Sequence, residues 1–505
     1  MNGSTATTQD ASKSAKPDLE IVDIVPDGDI LLDVTFDISK KVLKEAKKAS
    51  TTKHIGNEPQ APFKAKTRVG YRVHLSVLKQ NSRYFTNLLS DTRFAEAKAI
   101  EAAFEKLSLQ GVKPEDADVK DLPVVKINED DEASQSTNQV AAFGDLMRVL
   151  HRVPTTIKPL TMSHLVVIAI LADRFDCAPL VSKWLNVSKF KWPATPPRVP
   201  KDDGGPALSR QSEETLRQKI LVAYLLNQPV KMQSSTRELI LFGSRRWAVT
   251  WDENEGEDAY TAAWWDLPDN LEAELHTRRT SILSTLASIP QHFFRLYAHV
   301  PTASSSTPSP AGGNNNHKRP PLQCKLGYDT SSACDSYQLG EIVKFLTSRN
   351  LFTILDFSPR SLDTILHDPR KDFSATDITS LISILKQCPS YQIDKNHTHC
   401  GLRTRLLPIL EYVEARLQAQ AIAISLQGWK KDPEVESWSS EQKSKHKKKF
   451  SFTRGLSSDQ RLRYGGAMAG DKFARELFTA EEWDWTGDDH HDVEGRSFGN
   501  WKIPA

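Results

Sequence analysis

Residues 70–89, GYRVHLSVLKQNSRYFTNLL, decide how the chain is read, because the hydrophobic period changes inside them. Val69, Tyr71 and Val73 alternate with small or polar neighbours, the period of a half-buried strand. After His74 the spacing becomes helical: Leu78, Ser82, Phe85 and Leu89 follow at intervals of four, three and four and share one helical face. Ser82 is the small member of that face, leaving room for a close neighbour, while Phe85 and Leu89 supply apolar area. Upstream, Ile30, Leu32, Val34, Phe36 and Ile38 occupy every second position, which predicts a second strand with Asp33, Thr35 and Asp37 on its open face.

The bulk composition sets limits on partners and compartment. A chain of 505 residues is long enough for several domains, yet 39% hydrophobic content and a mean hydropathy of −0.47 fit globular parts separated by disordered segments. Lys and Arg total 66 against 64 Asp and Glu, a net charge of +2, so no global field draws the protein to nucleic acid. Five cysteines do not make a disulfide framework and suggest a reducing compartment. The opening MNGSTATTQDASKSAKPD lacks the apolar core of a signal peptide. The longest apolar run, 165–172, is eight residues, far short of the roughly 20 that span a bilayer. The reading is a soluble intracellular protein of the nucleus or cytoplasm, with no membrane partner.

Organisation follows from shifts in pattern. Residues 1–19 read as a disordered leader and 20–190 as a first domain. That domain carries insertions at 39–67, which is Lys-rich and contains Gly56 and Pro62, and at 97–120. LPVVKI at 122–127 is strand-like; Phe143, Leu146, Met147 and Leu150 make a helical stripe. Residues 190–212, rich in proline, form a linker, followed by a helical region over 213–300. There Pro290 divides the stripe of Ile282, Leu286, Ile289, Phe293 and Leu296 between two helices. Low-complexity sequence at 301–321 precedes a second helical region at 322–430, and 431–505 is a largely disordered tail, basic first and then acidic. In that tail Trp483 and Trp485 read as a short docking motif more than as core.

Several of these pieces together resemble the BTB/POZ domain, a protein-interaction module. Gly28-Asp29-Ile30 resembles its first strand opening, and Tyr71, His74 and Leu78 its aromatic-x-x-His-x-x-x-Leu step. Ser82, Tyr84 and Phe85 match its Ser-x-Tyr-Phe, and Phe94-Ala95-Glu96 its following Phe-x-Glu. Ala142-Phe143 with Leu146, and 171–175 (LADRF), resemble its later helices. The whole is similar to fungal BTB proteins with helical C-terminal regions. The resemblance implies an α+β fold, a small sheet packed on helices, followed by a mostly α-helical C-terminal region. It implies partner binding without catalysis, as a substrate adaptor that recruits a cullin-type ubiquitin ligase through Phe94 and Glu96 while the helical part selects the target. The alternative is a nuclear regulator or scaffold that uses the domain for assembly. Residues 1–27 offer no convincing form of the amphipathic helix through which many family members dimerise, so no oligomeric state follows. His74, lacking an acid or nucleophile pattern around it, reads as a structural residue at the strand–helix junction.

Candidate chemistry outside that domain is sparse. Cys324, Cys334, Cys388 and the His397-Thr398-His399-Cys400 run gather enough soft ligands for a tetrahedral zinc site. Their irregular spacing favours reduced core cysteines beside a surface histidine pair, and no cofactor; if zinc is bound, Cys324, Cys334, His399 and Cys400 are the expected ligands. Asp488-Asp489-His490-His491-Asp492 lacks an apolar frame to hold a metal. The basic run Lys443, Lys445, Lys447, Lys448 and Lys449 reads as a nuclear import signal or a solvated linker, with acidic residues of 481–494 as intrachain partners. Residues 465–470 nearly mimic a phosphate loop, but Asp471 stands where a lysine should be and would repel phosphate.

Overall fold

The structure, a computed structural model, describes residues 19–53, 64–194, 208–247, 261–298, 323–324, 331–355, 376–398, 400–418, 420–439, 448–453, 455–456 and 467–486. The chain divides into two compact units, the first comprising residues 1–192 with 225–227 and 260–263, the second the remainder.

The first unit is a mixed α/β body. Its sheet has the order β1-β3-β2-β4, with β1 Glu20–Asp23, β2 Ile30–Asp37, β3 Lys66–Val73 and β4 Val124–Asp130. The alternating residues form the expected strand: β2 pairs antiparallel with β3 from Ile30 opposite Val73 to Asp37 opposite Lys66. β4 lies parallel to β2, and β1 parallel to β3. Both faces of β2 are covered, so Asp33 is 3% exposed and does not face solvent as its place in the alternation suggests. Arg68 answers the buried carboxylate with two hydrogen bonds of 2.7 and 2.5 Å. The segment 39–67, read as an insertion, contains helix α1, Lys40–Lys53; 97–120 is mostly the body of α4, Ala95–Leu109.

The strand-to-helix switch is built from polar groups at fixed points. Gly28 must be glycine, because a Cβ there would stand 2.7 Å from the Val73 amide nitrogen. Next to it, the Asp29 carboxylate accepts the Leu75 amide at 2.7 Å, satisfying an orphan donor at the start of α2, Leu75–Asn81. The expected single helical face is divided between two helices, since the chain is extended at Ser82 before α3, Arg83–Ser90. The break is chemical: the Ser82 hydroxyl accepts the Phe85 amide at 3.1 Å as an N-cap and donates to the Phe175 carbonyl at 2.6 Å. The small residue thus admits the end of α6, Met162–Arg174, and ties it down.

Around that tie the aromatic side chains pack. Phe85 stacks on Phe175 with centroids 5.3 Å apart; Phe143 meets Phe175 at 5.6 Å, Tyr71 at 5.1 Å and Phe36 at 5.8 Å. Phe143 comes from α5, Gln139–Leu150, which also receives the Tyr71 hydroxyl on the Val140 carbonyl at 3.0 Å. α7, Ala178–Ser188, completes the layer and buries Val181 and Leu185.

The second unit is largely helical and is organised by buried arginines. α8, Arg210–Leu225, holds Arg217, fully buried, between Glu213 at 3.0 Å and Glu272 at 2.8 Å. α10, Leu271–Tyr297, runs unbroken through Pro290, contrary to the two helices expected. Ile289, Pro290 and Phe293 are all buried, and their packing outweighs the proline penalty of about 3 kcal/mol. Arg279 of α10 donates to the Ile240 and Leu241 carbonyls, which close α9, Pro229–Phe242, and burial pushes its guanidinium down to about 9.

Within 431–505, read as a largely disordered tail, the described residues include core. β5, Lys449–Ser451, pairs parallel with β6, Glu482–Asp484, and the helix Ala467–Phe478 buries Leu477 and Phe478. Trp485 is 3% exposed, its indole nitrogen donating to the Ser288 hydroxyl of α10 at 2.9 Å; it is a core residue, not a docking motif. The linker at 301–321 lies outside the described residues, as do 195–207 of the linker 190–212 and the leader 1–18.

His151 supplies a pH dependence. Its Nδ1 meets the Met147 carbonyl at 2.8 Å, and its Nε2 accepts the His74 amide at 3.1 Å, so the folded ring is neutral. Burial lowers its pKa. The unfolded chain therefore takes up the proton first as the pH falls through about 6.5, and this contribution, present at neutral pH, is lost on acidification. Thermal unfolding followed between about pH 7 and about pH 5 should show stability falling by at most about 1.4 kcal/mol per pH unit from this group. His151→Gln, which keeps an acceptor for His74 but cannot titrate, should flatten that slope; an unchanged slope would remove His151 as its source.

Candidate metal centre

In the second unit, three sulfurs and one imidazole converge: Cys324, Cys334, His397 and Cys400 place their ligand atoms within 4.8 Å of one another. Cys324 lies 3.6 Å from the His397 Nδ1, Cys400 lies 3.6 Å from the same nitrogen, and the two sulfurs are 3.7 Å apart. Cys334, Cys324 and His397 are buried and Cys400 is half-buried. The cluster could hold a metal ion.

Each ligand is positioned by identifiable local structure. Cys334 projects from the first turn of α11, Ser331–Ser348. Its neighbour Asp335, buried, accepts the Gln323 amide at 2.8 Å and the Cys324 amide at 2.9 Å, which fixes the irregular chain carrying Cys324. His397 and Cys400 share one tight turn: the His397 amide bonds the Asp394 carbonyl, and the Cys400 amide bonds the His397 carbonyl, each at 3.2 Å. The Tyr297 hydroxyl of α10 donates to the Cys400 carbonyl at 3.3 Å. The far nitrogen of His397, Nε2, stands 4.0 Å from the half-exposed Asp394 carboxylate. Burial, with the neighbouring sulfurs, raises the Cys334 and Cys400 thiols above the ordinary range.

Three of the expected ligands, Cys324, Cys334 and Cys400, are brought together. His399 lies outside the described residues, and the described fourth ligand is His397. His397 is 2% exposed, so it is not half of a surface pair. The signal for it was present in the His-x-x-Cys spacing of 397 and 400, which leaves room for a turn that adjacent ligands lack. Cys388 and Cys177 stay apart, buried, and burial pushes their thiols up to about 11 and about 12.

The remaining singled-out residues are distributed through the first unit and the tail. Asp29, His74 and Ser82 are the bonding groups of the strand–helix switch, with His74 Nε2 3.3 Å from Asp27. Tyr71, Leu78 and Phe85 are core. Tyr84 and Phe94 are 39% and 43% exposed, and Glu96 sits in the first turn of α4 directly after Phe94. Of the basic run, Lys443, Lys445 and Lys447 lie outside the described residues. The Lys448 carbonyl accepts the Glu481 amide at 2.8 Å, and Lys449 opens β5 with its ammonium 3.7 Å from Asp484. The 488–492 acidic cluster and residues 465–466 of the phosphate-loop mimic lie outside the described residues; 467–470 are helical. Among the described residues no helix is long and apolar enough to cross a membrane. No protein-family model, curated protein or solved structure matches the chain.

Asp335 is not one of the four ligands but bonds the amides of Gln323 and Cys324, which makes it a test of positioning. Asp335→Ala, with all four ligands kept, should weaken metal affinity about 10–100-fold in competition with a chromophoric chelator. Affinity equal to that of the unmodified protein would show that the Cys324 segment needs no such hold.

Proposed function

We infer that this chain is a protein-interaction protein in which a BTB/POZ domain over 20–190 presents the partner surface and a zinc ion staples the C-terminal helical unit. The observation that carries the domain reading is the set of roles taken by the motif residues. A chance match would scatter them over unrelated surface. Here Asp29 caps the helix that follows β3, and Ser82 caps the next and bonds the Phe175 carbonyl. The β2–β3 hairpin feeds these two helices, β4 returns parallel to β2, and α5 to α7 close over the same core. This small sheet with helices around it is compatible with the α+β fold that the resemblance implies.

Phe94 and Glu96 give the adaptor reading its physical content. An exposed ring next to a carboxylate at a helix N-terminus offers an apolar anchor with a charged rim, the pairing that concentrates binding energy in interfaces. Phe94→Ala combined with Glu96→Gln should cut recovery of a co-purifying cullin about tenfold or more, with thermal unfolding showing the domain still folded. Undiminished recovery would overturn this contact.

The zinc reading rests on distances. Zn–S bonds of about 2.3 Å and Zn–N bonds of about 2.0 Å give a tetrahedron with edges of roughly 3.5–3.8 Å. The Cys324–Cys400 separation of 3.7 Å and the two sulfur–nitrogen separations of 3.6 Å to His397 fall on those edges, and the Cys334 sulfur lies within 4.8 Å of the other three. Donors this close surround one ion and leave no room for a multi-iron cluster, and a soft three-sulfur, one-nitrogen set suits zinc. With four protein ligands the site has no open position, so its role is structural. Elemental analysis of the purified full chain should find one zinc per chain, retained through dialysis and absent from Cys334→Ser. A metal-free protein, or undiminished zinc in that variant, would overturn the assignment.

A further inference from the structure

The geometry points to a redox-sensitive centre: a hydroperoxide oxidises Cys400 and Cys324 to a disulfide, and the metal leaves. This inference rests on the zinc reading given above. The asymmetry of the site selects the pair. Three ligands are buried, while Cys400 is half-buried and so is the sulfur that an oxidant from solvent meets first. Its Sγ already lies 3.7 Å from that of Cys324. Cys324 lies outside any helix, held through its amide by Asp335, whereas Cys334 sits within the first turn of α11.

The chemistry closes without further reagents. The Cys400 thiolate attacks one peroxide oxygen; the O–O bond breaks, giving a sulfenic acid and a hydroxide that takes up a proton to become water. The Cys324 thiolate then attacks the sulfenyl sulfur, the S–O bond breaks, and a second hydroxide leaves as water on protonation. Two electrons pass from the two thiolates to the peroxide. The ion keeps only Cys334 and His397, too few for a closed tetrahedral site, and dissociates. What is undone is the link between α11 and the 394–400 turn, and a thiol reductant with zinc restores it.

The experiment uses the full chain after its zinc content has been measured. Hydrogen peroxide is added in stoichiometric amount, release is followed with a chromophoric chelator, and disulfides are mapped by mass spectrometry of unreduced peptides. The expected result is one zinc released per chain in step with one Cys324–Cys400 disulfide, both reversed by dithiothreitol and zinc. Cys388→Ser should behave like the unmodified protein, because Cys388 stands outside the cluster. Zinc retained after oxidation, release without a disulfide, or a disulfide through Cys334 or Cys388 would each overturn the inference while leaving the zinc reading intact. A chain holding no zinc before peroxide is added overturns both.

Discussion

Buried thiols are poor neighbours for one another: each loses hydration and raises the cost of ionising the next. The convergence of Cys324, Cys334 and Cys400 on one imidazole is therefore the constraint around which the later part of the second unit is arranged. Asp335 spends both carboxylate oxygens on the backbone of residues 323 and 324, the 394–400 turn is closed by its own amides, and Tyr297 reaches from α10 to the Cys400 carbonyl. Such an arrangement is worth its conformational entropy when a shared cation replaces mutual repulsion with four bonds.

Buried polarity in both units is answered by bonds between separate elements. In the first, Ser82 reaches Phe175, Asp145 accepts from Thr156 at 2.7 Å and from His164 at 3.1 Å, and Arg174 spans Glu129 and Asp130. In the second, arginines collect carbonyls and carboxylates at once. Arg278 takes Glu274 at 2.6 Å and the carbonyls of Ala423 and Glu436 at 2.7 and 2.8 Å, and stands 5.1 Å over Trp438. Removing one partner from such a network leaves a buried charge exposed to its full desolvation cost.

Periodicity made the strand at 30–37 and the helical stripes legible, because one covered face imposes its repeat on the sequence. It failed wherever a single contact outranked the repeat. The apolar spacing through Leu78, Phe85 and Leu89 is indifferent to the cap that breaks the chain at Ser82, and Pro290 is tolerated by packing that no local rule contains. Asp33 reads as exposed until Arg68, two places along the partner strand, is known to bond it. The ligand set was legible in type but not in its fourth member, since which histidine points inward depends on the turn at 394–400. The tail looked unstructured because its apolar residues are few and widely spaced; they are buried by partners distant in sequence, as with Trp485 on Ser288, nearly two hundred positions away.

That last contact has a consequence for the order in which the protein is made. α10 emerges from the ribosome long before the strand pair and the helix at 467–478 that cover it, and nothing earlier in the chain supplies Leu477, Phe478 or Trp485. The second unit must therefore wait, with part of its apolar surface open to water, until synthesis has passed residue 485.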